Sequence, residues 1–128
     1  MSSVLWLDGV LVSRDEARIS IDDRGFLYGA ACFETMRTFG GTVFRLEQHL
    51  DRLERGLQAL NITPPIRERV RFAIAATLEA NQLSDARVRL TVSAGVADLR
   101  PSLQPSDTPT MLLTADEISA TAALVRAM

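Results

Sequence analysis

Residues 23–37 read DRGFLYGAACFETMR, and how they are read decides the fold. Asp23-Arg24-Gly25 has the composition of a turn. Phe26, Leu27 and Tyr28 follow, then Gly29-Ala30-Ala31-Cys32, then Phe33-Glu34-Thr35-Met36-Arg37. Neither a helical nor a strand period runs cleanly through the segment. The spacing predicts a turn followed by one extended run. Glu34 and Arg37 sit among Cys32, Thr35 and Met36, so each is expected to need a charged partner inside the protein.

On the N-terminal side, Val4–Leu7 and Val10–Val12 flank Asp8-Gly9, a strong two-residue hairpin joint. Arg18–Ile21 reads as a further short strand. On the C-terminal side, Cys32–Phe39 and Thr42–Arg45 flank Gly40-Gly41, a second hairpin. The period then changes. Leu46, Leu50, Leu53, Leu57 and Leu60 recur at alternating spacings of four and three, the stripe of an amphipathic helix over 46–60. Asn61 and Thr63-Pro64-Pro65 end it, with Pro65 suited to the first turn of the next helix, 65–81. There Ile66, Val70, Ala73, Ile74, Thr77 and Leu78 form the apolar stripe. Arg87–Ser93 alternates as a strand, Gly95–Asp107 reads as a loop, and Thr110–Thr114 as a last short strand. This order predicts an α+β fold, a mainly antiparallel sheet with two packed helices.

A chain of 128 residues is one domain by length. A formal charge of −2 gives no general attraction for nucleic acid or an anionic membrane, so neither is an expected partner. No apolar run is long enough to span a bilayer. The single cysteine, Cys32, excludes an internal disulfide and suits a reducing compartment, and no basic n-region suggests a signal peptide. A cytoplasmic location is expected. All 14 basic residues are arginine, so no lysine side chain can hold a carbonyl cofactor covalently. One histidine and one distant cysteine make neither a metal site nor a nucleophile dyad.

Arg52 lies on the flank of the leucine stripe with His49 and Gly56. Its helical neighbours Gln48, His49, Arg55 and Gly56 include no carboxylate, while Asp51 is placed to pair with Arg55. Arg52 therefore reads as a semi-buried cation that needs a distant Asp or Glu, or a ligand phosphate, with Gly56 leaving room. His49 is expected to pack beside the leucines with its ring hydrogen-bonded. Period two places Arg87, Arg89, Thr91 and Ser93 on one strand face. That face is either solvated or the lining of an anionic cleft, since guanidinium matches carboxylate and phosphate oxygens.

Taken in order, DRGFLYGAACFETMR, the Gly-Gly hairpin, VFRLEQHLDRL and ARVRLTVSAG resemble the class IV (fold type IV) pyridoxal-phosphate aminotransferases. That family includes branched-chain and D-amino-acid aminotransferases and 4-amino-4-deoxychorismate lyase. The resemblance implies a homodimer, pyridoxal 5'-phosphate as cofactor, and an amino acid or related amine as substrate. It implies that Arg52 grips the cofactor phosphate, that Tyr28 and Phe33 shape the substrate pocket, and that Arg89 faces a substrate carboxylate, with Arg37 and Arg87 as weaker candidates. It also implies that residues 1–118 form an N-terminal domain and 119–128 the start of a linker, the Schiff-base lysine belonging to a second domain absent here. The alternative is a non-catalytic, stand-alone dimerising or anion-binding module. Departures from the family pattern are Gly29-Ala30-Ala31 in place of Gly-Asp-Gly, Phe33-Glu34-Thr35 in place of Phe-Glu-Gly, and Arg100-Pro101-Ser102 in place of an Arg-x-His trap.

Overall fold

A computed structural model describes residues 4–97 and 108–118. Six strands form a single sheet in the order β2-β1-β6-β5-β3-β4, and every pairing is antiparallel. They are β1 (Val4–Leu7), β2 (Val10–Ser13), β3 (Ala31–Phe39), β4 (Thr42–Val43), β5 (Ala86–Ser93) and β6 (Thr110–Glu117). Three helices accompany them: α1 (Arg24–Tyr28), α2 (Leu46–Ala59) and α3 (Arg67–Ala80). The expected α+β class and both hairpins are present. Asp8 and Gly9 take positive φ at the first joint, and Gly40 and Gly41 at the second.

Alternation along the strands separates the two faces of the sheet. Met36, Val88, Leu90, Val92, Met111, Leu113 and Ala115 point to one side, where Leu50, Leu53 and Leu57 of α2 and Val70, Ala73, Ile74 and Leu78 of α3 complete the core. Leu57, Val88, Leu90 and Leu113 are fully buried. Gly56 lets α2 settle onto β3, since a Cβ there would lie 2.9 Å from Cys32 Sγ. The space beside Gly56 is thus taken by Cys32, not left for a ligand. α2 and α3 are clipped together by Arg67, which bonds Glu54 and, at 2.6 Å, Asp51. The expected Asp51–Arg55 pair gives way to this contact across helices.

Several sequence expectations need correction. Arg24–Tyr28 is a short helix, not part of an extended run: Asp23 caps it by accepting from Gly25 N, and Gly29 ends it in the left-handed region at φ 69°. Residues 18–21 form no strand, because Arg18 Nη1 donates to the carbonyls of Asp15 and Ala17 and holds the chain in a turn. Pro65 precedes α3 by two residues and Ile66 is its exposed N-cap, outside the apolar stripe. β6 runs three residues beyond Thr114, to Glu117, because β5 stays paired with it to that end. Most of the expected loop 95–107, and the Arg100-Pro101-Ser102 segment, lie outside the described residues.

Candidate functional site

Two groups of polar side chains stand out, one on each side of β3. The first centres on Glu34. It points to the helix side and is 4% exposed. Arg52 reaches it from α2 with two parallel bonds, Nε to Oε2 at 2.9 Å and Nη2 to Oε1 at 2.8 Å. His49, one helical turn before Arg52, contributes Nδ1 at 2.6 Å from Oε1. The distant carboxylate that Arg52 required is therefore Glu34. The geometry is the fork-to-carboxylate match that makes such pairs strong. Burial pushes the Glu34 carboxyl up, but hydrogen bonds from Arg52 and His49 outweigh it and hold it below its ordinary value. Arg52 itself is not semi-buried: its side chain is 67% exposed. Glu34 takes Nε and Nη2, and among the described contacts Nη1 has no protein acceptor.

The second group lies on the sheet face that the long helices leave open. Register sets it out in rows across β3, β5 and β6. Arg37, Arg87 and Asp116 form one row; Thr35, Arg89 and Thr114 the next; Phe33, Thr91 and Leu112 the third; Ala31, Ser93 and Thr110 the last. The predicted face of Arg87, Arg89, Thr91 and Ser93 is present. Arg89 stacks on Phe33, with Cζ 4.0 Å from the ring centroid, and Arg37 stacks on Phe39 at 4.4 Å. Among the described residues Arg37 does not find the charged partner expected for it, and its Nε is buried without a hydrogen-bond acceptor.

Beside the third and fourth rows lies a cleft of about 310 Å³, with Ile19, Ile21, Phe26 and Leu112 as apolar walls. Asp23, Ser93 and Thr110 form its polar floor. Asp23 is 2% exposed and accepts from Ser93 Oγ at 2.7 Å, Thr110 Oγ1 at 2.6 Å and Gly25 N at 2.8 Å. Burial pushes the Asp23 carboxyl up, and the bonds from Thr110, Ser93 and the backbone bring it below the ordinary value. This hub ties α1 to the ends of β5 and β6, and a Cβ on Gly25 would meet Ser93 Cβ at 2.6 Å. Sequence reading missed Asp23 as a site element. An Asp two residues before a Gly, followed by aromatics, was the available sign of a helix cap. Tyr28, at the end of α1, is 78% exposed, and Phe33 is 54% exposed.

The two groups meet along one edge. β4 pairs with β3 only at Thr38 and Phe39, so Ala31–Met36 has no strand partner on that side among the described residues. Arg52 stands on the helix side of this edge, and Phe33 and Arg89 on the other. An unpaired strand edge beside cationic side chains can be covered by a ligand or another piece of chain.

Comparison with known proteins gives this arrangement a family. The model of the family described as amino-transferase class IV matches residues 31–127. The chain belongs to the class IV aminotransferases. A putative branched-chain-amino-acid aminotransferase of Methanocaldococcus jannaschii is 40% identical over 96 residues, covering 74% of this chain and 33% of that protein. The aminodeoxychorismate lyase of Bacillus subtilis is 37% identical over 112 residues, 85% of this chain and 38% of the lyase. Among solved structures, the branched-chain aminotransferase of Thermoproteus uzoniensis with norvaline superimposes with a TM-score of 0.77 at 25% identity, over 93% of this chain and 42% of its own. A hypothetical aminotransferase of Mycobacterium tuberculosis, in a PLP-bound form, shares the fold at a TM-score of 0.78 and 23% identity, over 97% of this chain and 43% of its own. The chain thus spans well under half the length of these class IV relatives. No helix among the described residues is long and apolar enough to cross a membrane.

Proposed function

We propose that this chain supplies the phosphate-gripping and pocket-forming part of a pyridoxal-phosphate-dependent class IV aminotransferase or lyase acting on amino acids or related amines. In this reading residues 1–118 form an N-terminal domain, and the remaining catalytic groups come from outside these 128 residues. The observation that carries it is Arg52: an exposed guanidinium, fixed by Glu34 through two of its nitrogens and able to offer the third to an anion. The residues present fit the phosphate end of the cofactor. For the aldehyde end this chain has no side-chain amine, since all its basic residues except His49 are arginine. When bound, pyridoxal phosphate supplies an electron sink that stabilises negative charge at the substrate's α-carbon. Arg52 would hold the phosphate, Phe33 and Tyr28 would exclude water from the substrate side, and Arg89 would orient a substrate carboxylate.

Titration with pyridoxal phosphate, and with pyridoxal as the phosphate-free control, tests the assignment. One guanidinium contact supports binding only in the range of roughly 10–100 mM, so weak, phosphate-dependent binding that Arg52→Ala abolishes is the expected result. Binding of equal strength in Arg52→Ala would remove Arg52 from the role.

Self-association belongs to the same reading. α1 presents Phe26, Leu27 and Tyr28 at 75%, 48% and 78% exposure, next to exposed Ile19 and Ile21. Contiguous apolar surface of this kind favours association. Light scattering is expected to show dimers whose fraction rises with concentration and falls in Phe26→Ser. A strict monomer at every concentration tested would overturn this part.

A further inference from the structure

Glu34 fixes more than Arg52. An ionised carboxylate can only accept hydrogen bonds, and the Glu34 carboxyl is held below its ordinary value. Nδ1 of His49, 2.6 Å from Oε1, must therefore carry the ring's hydrogen and donate it. In the neutral ring Nε2 is then a bare acceptor, and among the described contacts it has no partner. A further proton enters at Nε2. Glu34 and Arg52 cancel in charge, so the trio is neutral with a neutral ring and carries one positive charge with a protonated one. Nδ1 and Arg52 Nη2 also share Oε1. A cationic ring draws harder on that oxygen, which leaves Nη2 more available to an outside anion.

Among the described residues, nothing else around the ring changes charge near neutrality. From β3 it meets Glu34, with Cys32 two residues away on the same face. Burial and the Glu34 charge push the Cys32 thiol above its ordinary value. On α2, Arg45, Arg52 and Gly56 share the flank of His49. Glu47, Asp51 and Glu54 lie on the opposite side, engaged by Arg67 of α3. Histidine is the side chain that changes charge between about pH 5 and pH 8.

We propose that His49 is the second charge of the anion site, so that a proton taken up at Nε2 strengthens the hold of Arg52 on a doubly charged oxyanion. The inference rests on reading Arg52 as the phosphate anchor. His49 stands one helical turn from Arg52, where side chains three residues apart are neighbours. Arg52 is 67% exposed, so solvent and salt screen the added charge. The expected gain is about three- to tenfold in affinity.

The test is a titration with sulfate at constant ionic strength, at about pH 5.5 and about pH 8, the two sides of a histidine's charge change. Sulfate stays doubly charged across this range, whereas a phosphate ester takes up a proton of its own. His49 is the only histidine, so its ring NMR signals stand alone. Sulfate is expected to bind about three- to tenfold more tightly at the lower pH. By reciprocity it should also move the histidine titration to higher pH. His49→Asn keeps a donor in the place of Nδ1 but takes up no proton. Its sulfate affinity should be equal at both pH values and match that of the parent at the higher one. His49→Gln repeats the test should Asn disturb α2, with circular dichroism showing which variant is folded. Equal affinity at the two pH values in the parent, or a pH dependence that survives both substitutions, would overturn the proposal. So would binding that never saturates, the mark of an adventitious ion only. Failure of the phosphate reading shows separately: sulfate binding would persist in Arg52→Ala, or be absent from the parent at both pH values, and either result removes both assignments.

Discussion

Leu57→Ala is expected to lower the unfolding free energy by about 3–5 kcal/mol, the range for emptying a leucine site in a packed core. Leu57 has no exposed surface and belongs to the cluster joining α2 to β3 and β5. Domains of this size are stable by only about 5–15 kcal/mol, so the variant will be marginal or unfolded near 37 °C. Urea titration should show a lower midpoint with an unchanged slope. Leu60 continues the same sequence stripe but lies at the C-cap and is 45% exposed. Leu60→Ala is therefore expected to cost under about 1 kcal/mol. Equal losses at the two positions would mean that the stripe is not packed as described. The contrast bears on function because α2 carries both His49 and Arg52. Its leucines hold the helix at the distance from β3 at which Arg52 meets Glu34.

Where one periodicity dominated, the sequence alone was informative. The leucine stripe of α2, the alternation of β5 and the Asp8-Gly9 and Gly40-Gly41 joints are local signals, each sufficient to place its element. The class of fold followed from their order. Reading failed where long-range contacts decide. Nothing in the pattern around residue 56 says that its missing Cβ makes room for Cys32 and not for a ligand. Asp51 is four residues from Arg55, an ideal helical spacing, yet it turns to Arg67 on the neighbouring helix. Arg67 collects Glu47 and Glu54 as well, and no spacing rule encodes that cluster. The candidate site divides the same way. The shared face of Arg87 and Arg89 was legible from period two. The pairing of Arg52 with Glu34 was not, since 18 residues and a hairpin separate them. Sequence could say that each needed a partner of opposite charge, but only the fold joins the two demands.

The Glu34 network also predicts how stability depends on pH. Glu34→Ala is expected to cost about 2–4 kcal/mol at pH 7, because it removes a buried, fully bonded carboxylate and leaves half-buried His49 without its acceptor. In the parent chain the folded carboxyl is held below the ordinary value of 4.5. Its stabilisation is therefore complete above that value and is lost as pH falls through the lower, folded one. Asp23 behaves in the same sense relative to its ordinary 3.8, so Glu34→Ala should shrink the acid-induced loss of stability without abolishing it. Arg52→Ala acts in the opposite direction on that profile. It leaves Glu34 buried with His49 as its remaining side-chain partner, burial is then less fully offset, and acid sensitivity should begin at a higher pH than in the parent. Denaturant titrations at intervals between pH 3 and pH 7 separate the two variants, one with a flattened acid limb and one with a limb displaced upward. Parallel profiles for all three proteins would mean that the carboxylate is not held by Arg52. The site would then lose the fixed guanidinium on which the cofactor-phosphate assignment depends.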